Sequence, residues 1–205
     1  MLKKYLSKSM QLVFSALTLI IANLLGIYST VETSPSIVTL WLVYWIENIS
    51  IGFFTILKMK MLIKLGKESA SENNKQDIIF FIIHYGGFTF LHGLFLIIFA
   101  IALESHLISL ITIGVNAVLL FISHGISYWR NFIKAEEYNF LTIDSLFIRP
   151  YPRIVATQIM ILAGSYFAWG LKNQAFGIIL LGVCKLGTDL ISHLVEHRKQ
   201  FNRIQ

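Results

Sequence analysis

Nine residues near the end of the chain, Asp189-Leu190-Ile191-Ser192-His193-Leu194-Val195-Glu196-His197, form a D-x-x-x-H-x-x-x-H run closing a long apolar segment. On an α-helix, steps of three, four and seven residues return to one side, so Lys185, Asp189, His193, Glu196 and His197 share a stripe. Histidines at i and i+4 can bring two imidazoles to one metal ion, and an ionisable group at membrane depth is costly enough to mark a functional site by default. The chemistry open to this set is that of a divalent metal: neutral imidazoles with a carboxylate suit zinc first and iron second. An open position on such a metal lowers the pKa of bound water for attack on a carbonyl or phosphoryl centre, with Glu47 or Glu196 as general base.

Other polar residues interrupt apolar runs elsewhere. At ~1.5 Å per helical residue, His84 lies some ten ångströms inside the bilayer and His92 about twelve further, near its middle. Ser123 and His124 fall in the inner part, at a depth close to that of Asp189 and His193. The constellation expected to hold metal is therefore His84, His124, Asp189 and His193, with Glu47 as the nearest acid and His197 at the cytoplasmic mouth. Each residue also has a plainer reading, because polar side chains join helices in lipid. Lys185 could pair with Asp189, which would make that carboxylate a counter-ion and not a ligand. Arg130, Arg149 and Arg153, beside Tyr151, could hold a lipid phosphate or serve only as topology signals. Gly86, Gly87 and Gly93 read as close-packing contacts between helices.

The elements that must position these groups follow from composition. With 205 residues, 56% hydrophobic and 14% charged, the chain is too apolar for an ordinary soluble domain and reads as one polytopic membrane domain over 1–205. Six all-α transmembrane spans are expected, at roughly 9–29, 36–57, 77–103, 106–128, 152–172 and 174–197. Lys3, Lys4 and Lys8 precede a first run too long for a usual signal-peptide core, so it is taken as a retained helix. With the N-terminus inside, fifteen of the seventeen basic residues fall on the inner side, all but Lys172 and Lys185. The positive-inside rule then places both termini in the cytoplasm and the protein in the inner (plasma) membrane. Between the fourth and fifth spans, the mixed apolar and polar residues of 138–149 predict a short interfacial helix.

The net charge of +6 borders apolar spans and does not form a block interleaved with exposed aromatics, so nucleic acid is not an expected partner; membrane lipids are. Cys184 is the only cysteine, which excludes a disulfide framework and a cysteine-based zinc knot. No P-loop, H-E-x-x-H or G-x-S-x-G is present.

Taken in order, Tyr44-Trp45-Ile46-Glu47-Asn48, the HYGGFTFLHG string from His84 to Gly93, Ser123-His124-Gly125, Tyr151-Pro152-Arg153 and the final D-x-x-x-H-x-x-x-H resemble a prokaryotic family of polytopic membrane proteins known as a domain of unknown function. That resemblance covers 38–198 and implies no activity. Glu47-Asn48 and the terminal histidines with Asp189 are also similar to the alkaline-ceramidase-like membrane metallohydrolases. There, histidines and an aspartate from several spanning helices hold zinc and cleave a lipid amide. That group has seven spans, so the similarity implies the chemistry and no residue-by-residue assignment.

The leading expectation is a divalent-metal-dependent hydrolase acting on a lipid-like or membrane-borne substrate. A proton- or metal-ion-coupled transporter using Glu47, His92, His124 and Asp189 is the alternative. Haem or quinone electron transfer and a non-catalytic membrane subunit stand behind these. The oligomeric state is left open.

Overall fold

The computed structural model describes the backbone of residues 36–67, 72–102, 109–170 and 174–201, with positions 17, 20, 21, 23–28 and 32 before them. Side chains are described for a narrower set that ends at Ile191. Among the described residues every regular element is helical: α1 (Ile37–Lys64), α2 (Glu72–Ala102), α3 (Leu110–Ser127), α4 (Ile143–Ile148), α5 (Tyr151–Gly170) and α6 (Gln174–Phe201). A π-helical turn, Tyr128–Lys134, continues α3, and a 3-10 turn, Glu137–Phe140, precedes α4.

Local sequence explains the boundaries. Gly66 takes φ 65, a left-handed conformation that costs glycine nothing, and lets Lys67 N–H reach back to the Leu62 carbonyl at 3.0 Å to close α1. Ser109 caps α3 by accepting from Thr112 N–H at 3.2 Å. Thr142 and Ser145 form a reciprocal capping box that starts α4.

The six expected transmembrane helices need correction. Among the described residues three helices are long and apolar enough to cross a membrane: Ile37–Lys64, Asn73–Ile101 and Leu110–Lys134. The expected first span lies mostly outside the described residues. α5 carries Arg153, Thr157 and Gln158 in its first turns, and α6 carries Lys185, Thr188 and Asp189 in its middle. Neither therefore offers an apolar stretch of spanning length within the described side chains. The chain ends also lie outside the described residues, so their orientation is not fixed by the fold.

α1 is the axis. Its apolar window is 72% buried, against 33% for α2 and 28% for α3, so α1 is surrounded while its neighbours turn one side outward. It packs on α2, α3, α4, α5 and α6. The outer faces of α2 and α3 present Ile83, Phe90, Ile101, Leu110 and Ile111, each more than two-thirds exposed, as helices facing hydrocarbon do. Two apolar clusters line α1. One gathers Trp41, Tyr44, Leu96, Leu120, Ile161 and Leu181, and the other Met59, Leu62, Phe81, Tyr85, Phe132 and Leu146. Glu47 and Asn48 lie on the stretch of α1 between them.

Candidate functional site

The polar stretch of α1 is built around Glu47, whose side chain is 1% exposed. A buried carboxylate is tolerated only with partners, and Glu47 has one at each oxygen. Oε1 lies 3.3 Å from His124 Nε2 on α3, and Oε2 lies 2.8 Å from Lys185 Nζ on α6. The same ammonium donates to Asp189 Oδ2, one turn along its own helix. Asn23 Nδ2 donates to that oxygen as well, at 3.4 Å. The Tyr44 ring completes the enclosure, its centroid 5.2 Å from Lys185 Nζ. A continuous line of ionisable groups thus runs from His124, 13% exposed at the edge of the bundle, through Glu47 and Lys185 to the buried Asp189.

Glycine permits α6 to approach Ile27 closely beside this site. A Cβ at Gly182 would stand 2.5 Å from the Ile27 side chain and in ordinary contact, 3.5 Å, with the Tyr44 hydroxyl, so a larger residue there would displace Ile27. Two buried atoms, Tyr44 OH and Asp189 Oδ1, have no hydrogen-bond partner among the described residues.

Of the expected metal constellation, the three members whose side chains are described, His84, His124 and Asp189, are not brought together around one point. His84 is exposed on the outer side of α2, where its Nδ1 meets Tyr151 OH at 2.6 Å and its ring stacks on Phe80. His124 binds Glu47 and Asp189 binds Lys185. The side chains of His193, Glu196 and His197 lie outside the described residues. Among the described residues no group of three or more His, Cys, Asp or Glu could hold a metal ion. The donor set that does form fits zinc or iron poorly, because the position between its two carboxylates is taken by an ammonium.

His92 is buried on α2, and its Nδ1 has no hydrogen-bond partner among the described residues. Of the three arginines considered for a headgroup, Arg149 is engaged by Glu137 at 2.9 Å, while Arg130 and Arg153 are half-buried. Sequence reasoning placed Glu47, His124 and Asp189 near one another but gave Lys185 only a secondary part and Asn23 none. The signal for Lys185 was its i,i+4 spacing to Asp189 on an otherwise apolar helix. Asn23 sits on a segment whose phase relative to α6 no spacing rule supplies.

A family model described as "Family of unknown function (DUF6498)" matches residues 5–203. The chain belongs to DUF6498. Membership covers every group named above, since the match spans Asn23, Glu47, His124, Lys185 and Asp189 together. No curated protein and no solved structure matches the chain. The similarity to alkaline-ceramidase-like hydrolases therefore finds no support outside the few residues that suggested it.

Proposed function

We propose that this chain moves protons across a membrane, as the proton-coupled part of a transporter, through the buried network of Glu47, Lys185, Asp189 and His124. The observation that carries the reading is the charge count of that network. Two carboxylates face one ammonium inside an apolar bundle, leaving one formal negative charge that a single proton neutralises. His124 gives that proton a way in, because it touches Glu47 and reaches the edge of the bundle. Buried ionisable groups in membrane helices commonly serve as such relays. His92, buried on α2 with no partner at Nδ1 among the described residues, is the group we assign to a continuation of the path. Metal-dependent hydrolysis has no comparable support, since the carboxylates it would use are bound to Lys185.

The direction of the bundle follows from its basic end. Lys58 Nζ lies 5.8 Å from the Phe132 ring and Lys67 Nζ 5.9 Å from the Tyr138 ring, so the lysines of α1 and the basic residues after α3 gather at one end. The positive-inside rule assigns that end to the cytoplasm, and the membrane we propose is the plasma membrane.

The test is proton flux in liposomes carrying the purified chain and an enclosed pH-sensitive dye, driven by a potassium diffusion potential. Wild type should acidify the lumen faster than protein-free liposomes, and Glu47→Gln should remove most of the difference. Wild-type flux no greater than that of protein-free liposomes would overturn the reading.

A further inference from the structure

His84 is an anomaly on its helix. The face of α2 around it consists of Ile79, Phe80, Ile83, Phe88 and Leu91, all large, apolar and exposed, as suits hydrocarbon. An imidazole on such a face is unfavourable unless something polar meets it. Inside the protein it has one hydrogen-bond partner among the described residues, Tyr151, whose hydroxyl lies 2.6 Å from Nδ1. Rings hold the pair in place: His84 stacks on Phe80, Phe80 on Phe147 and Phe147 on Tyr151, and Phe88 meets the imidazole edge-on.

The proton inventory gives the other nitrogen its role. The Tyr151 hydroxyl, 2.6 Å from Nδ1, can donate its proton to that nitrogen. A neutral imidazole that accepts at Nδ1 carries its own proton at Nε2. That N–H has no acceptor among the described residues. The level of the pair in the bilayer narrows what could supply one. Phe147 stacks on Phe80, and it belongs to a segment whose charged groups, exposed Asp144 and the Arg149–Glu137 pair, mark the polar boundary. His84 is one helical turn beyond Phe80, ~6 Å deeper. Just beneath the headgroups, bilayers present the ester carbonyls of their lipids, which are acceptors without donors.

We infer that His84 and Tyr151 form a docking site for a glycerolipid, with His84 Nε2–H donating to an acyl-ester carbonyl and the acyl chain lying along Ile83, Phe88 and Leu91. The Tyr151 hydroxyl is the positioning group, fixing the tautomer that makes Nε2 a donor. The site is independent of the proton network and survives its failure.

Native mass spectrometry of the purified chain titrated with dioleoylphosphatidylglycerol tests this. The comparison ligand is the diether lipid with the same headgroup and no ester carbonyl. One tightly held diester lipid is expected, with affinity falling about tenfold in His84→Phe, which keeps the aromatic stack, and by a similar factor for the diether lipid on wild type. Tyr151→Phe should weaken diester binding and leave diether binding unchanged. Equal retention of diester and diether lipid by wild type would overturn the proposal, as would undiminished diester binding by a folded His84→Phe variant. A crosslinked dimer through this face in vesicles would assign it instead to a second copy of the chain.

Discussion

Lys185 on α6 places its ammonium 2.8 Å from Glu47 Oε2 on α1, and the same nitrogen donates to Asp189 one turn further along its own helix. One cation thus ties the last described helix to the central one, on the polar stretch of α1. The three charges are not equivalent. Neutralising either acid leaves a balanced pair, whereas neutralising the lysine leaves two carboxylates and no counter-charge.

That asymmetry sets the first prediction. Lys185→Met should destabilise the purified chain by about 3–5 kcal/mol, the usual cost of leaving buried charge uncompensated. Glu47→Gln and Asp189→Asn should each cost less, and Lys185→Met combined with both amide substitutions should recover much of the loss. Thermal unfolding in one detergent, read by circular dichroism, ranks the four variants. Equal losses for Lys185→Met and Glu47→Gln would contradict the charge count.

Tyr44 separates two contributions of one side chain. Its ring faces Lys185 Nζ at 5.2 Å, a cation–π arrangement worth up to about 2 kcal/mol when desolvated. Its hydroxyl is buried and has no hydrogen-bond partner among the described residues. Tyr44→Phe should therefore be neutral or stabilising by up to about 1 kcal/mol, since it removes an unpaired polar atom and keeps the ring. Tyr44→Leu should be clearly destabilising. The same unfolding assay distinguishes them, and a large loss in Tyr44→Phe would mean that the hydroxyl is engaged.

Chelation gives a third outcome. Because an ammonium stands between the two carboxylates, dialysis against EDTA should leave the unfolding midpoint unchanged, and elemental analysis should find no stoichiometric zinc or iron. A metal present in wild type and lost in both His84→Ala and His193→Ala would restore the sequence expectation.

The sequence was most legible where burial has a composition. The long apolar runs of α1, α2 and α3 and the inward Glu47 and His124 follow from periodicity and residue chemistry. Depth along a helix was readable as well, which is why Glu47, His124 and Asp189 were grouped. Rotation about the helix axis was not readable on α2, whose apolar residues surround it almost evenly. His84 was therefore assigned to the inward side of α2, whereas it is exposed on the outer side. The same limitation concealed its partner, since Tyr151 sits at the start of α5, beyond a connection of π, 3-10 and α turns whose course no pattern specifies. The count of spanning helices failed for another reason: average apolarity over a run of spanning length does not register the polar residues inside it, such as Lys185 and Asp189 in the middle of α6.

The glycines of α2 give the last prediction, because sequence treats Gly86, Gly87 and Gly93 alike as packing contacts and the fold does not. A Cβ at Gly93 would lie 2.6 Å from a Trp45 ring carbon, whereas at Gly86 and Gly87 it would meet nothing within 4 Å. The Trp45 ring cannot easily retreat, since its Nε1 donates to the Thr89 carbonyl at 2.6 Å. Gly93→Ala must then separate α2 from α1 or break that bond, and should cost about 1–3 kcal/mol, as overpacking does. Gly86→Ala and Gly87→Ala only add a methyl on the outer face while removing glycine's entropic penalty in a helix, so each should gain up to about 1 kcal/mol. Unfolding midpoints that fall for Gly93→Ala and rise or hold for the other two would fix which side of α2 faces α1, and with it the outward position of His84. A comparable loss in Gly86→Ala would require the face around His84 to be covered by another helix.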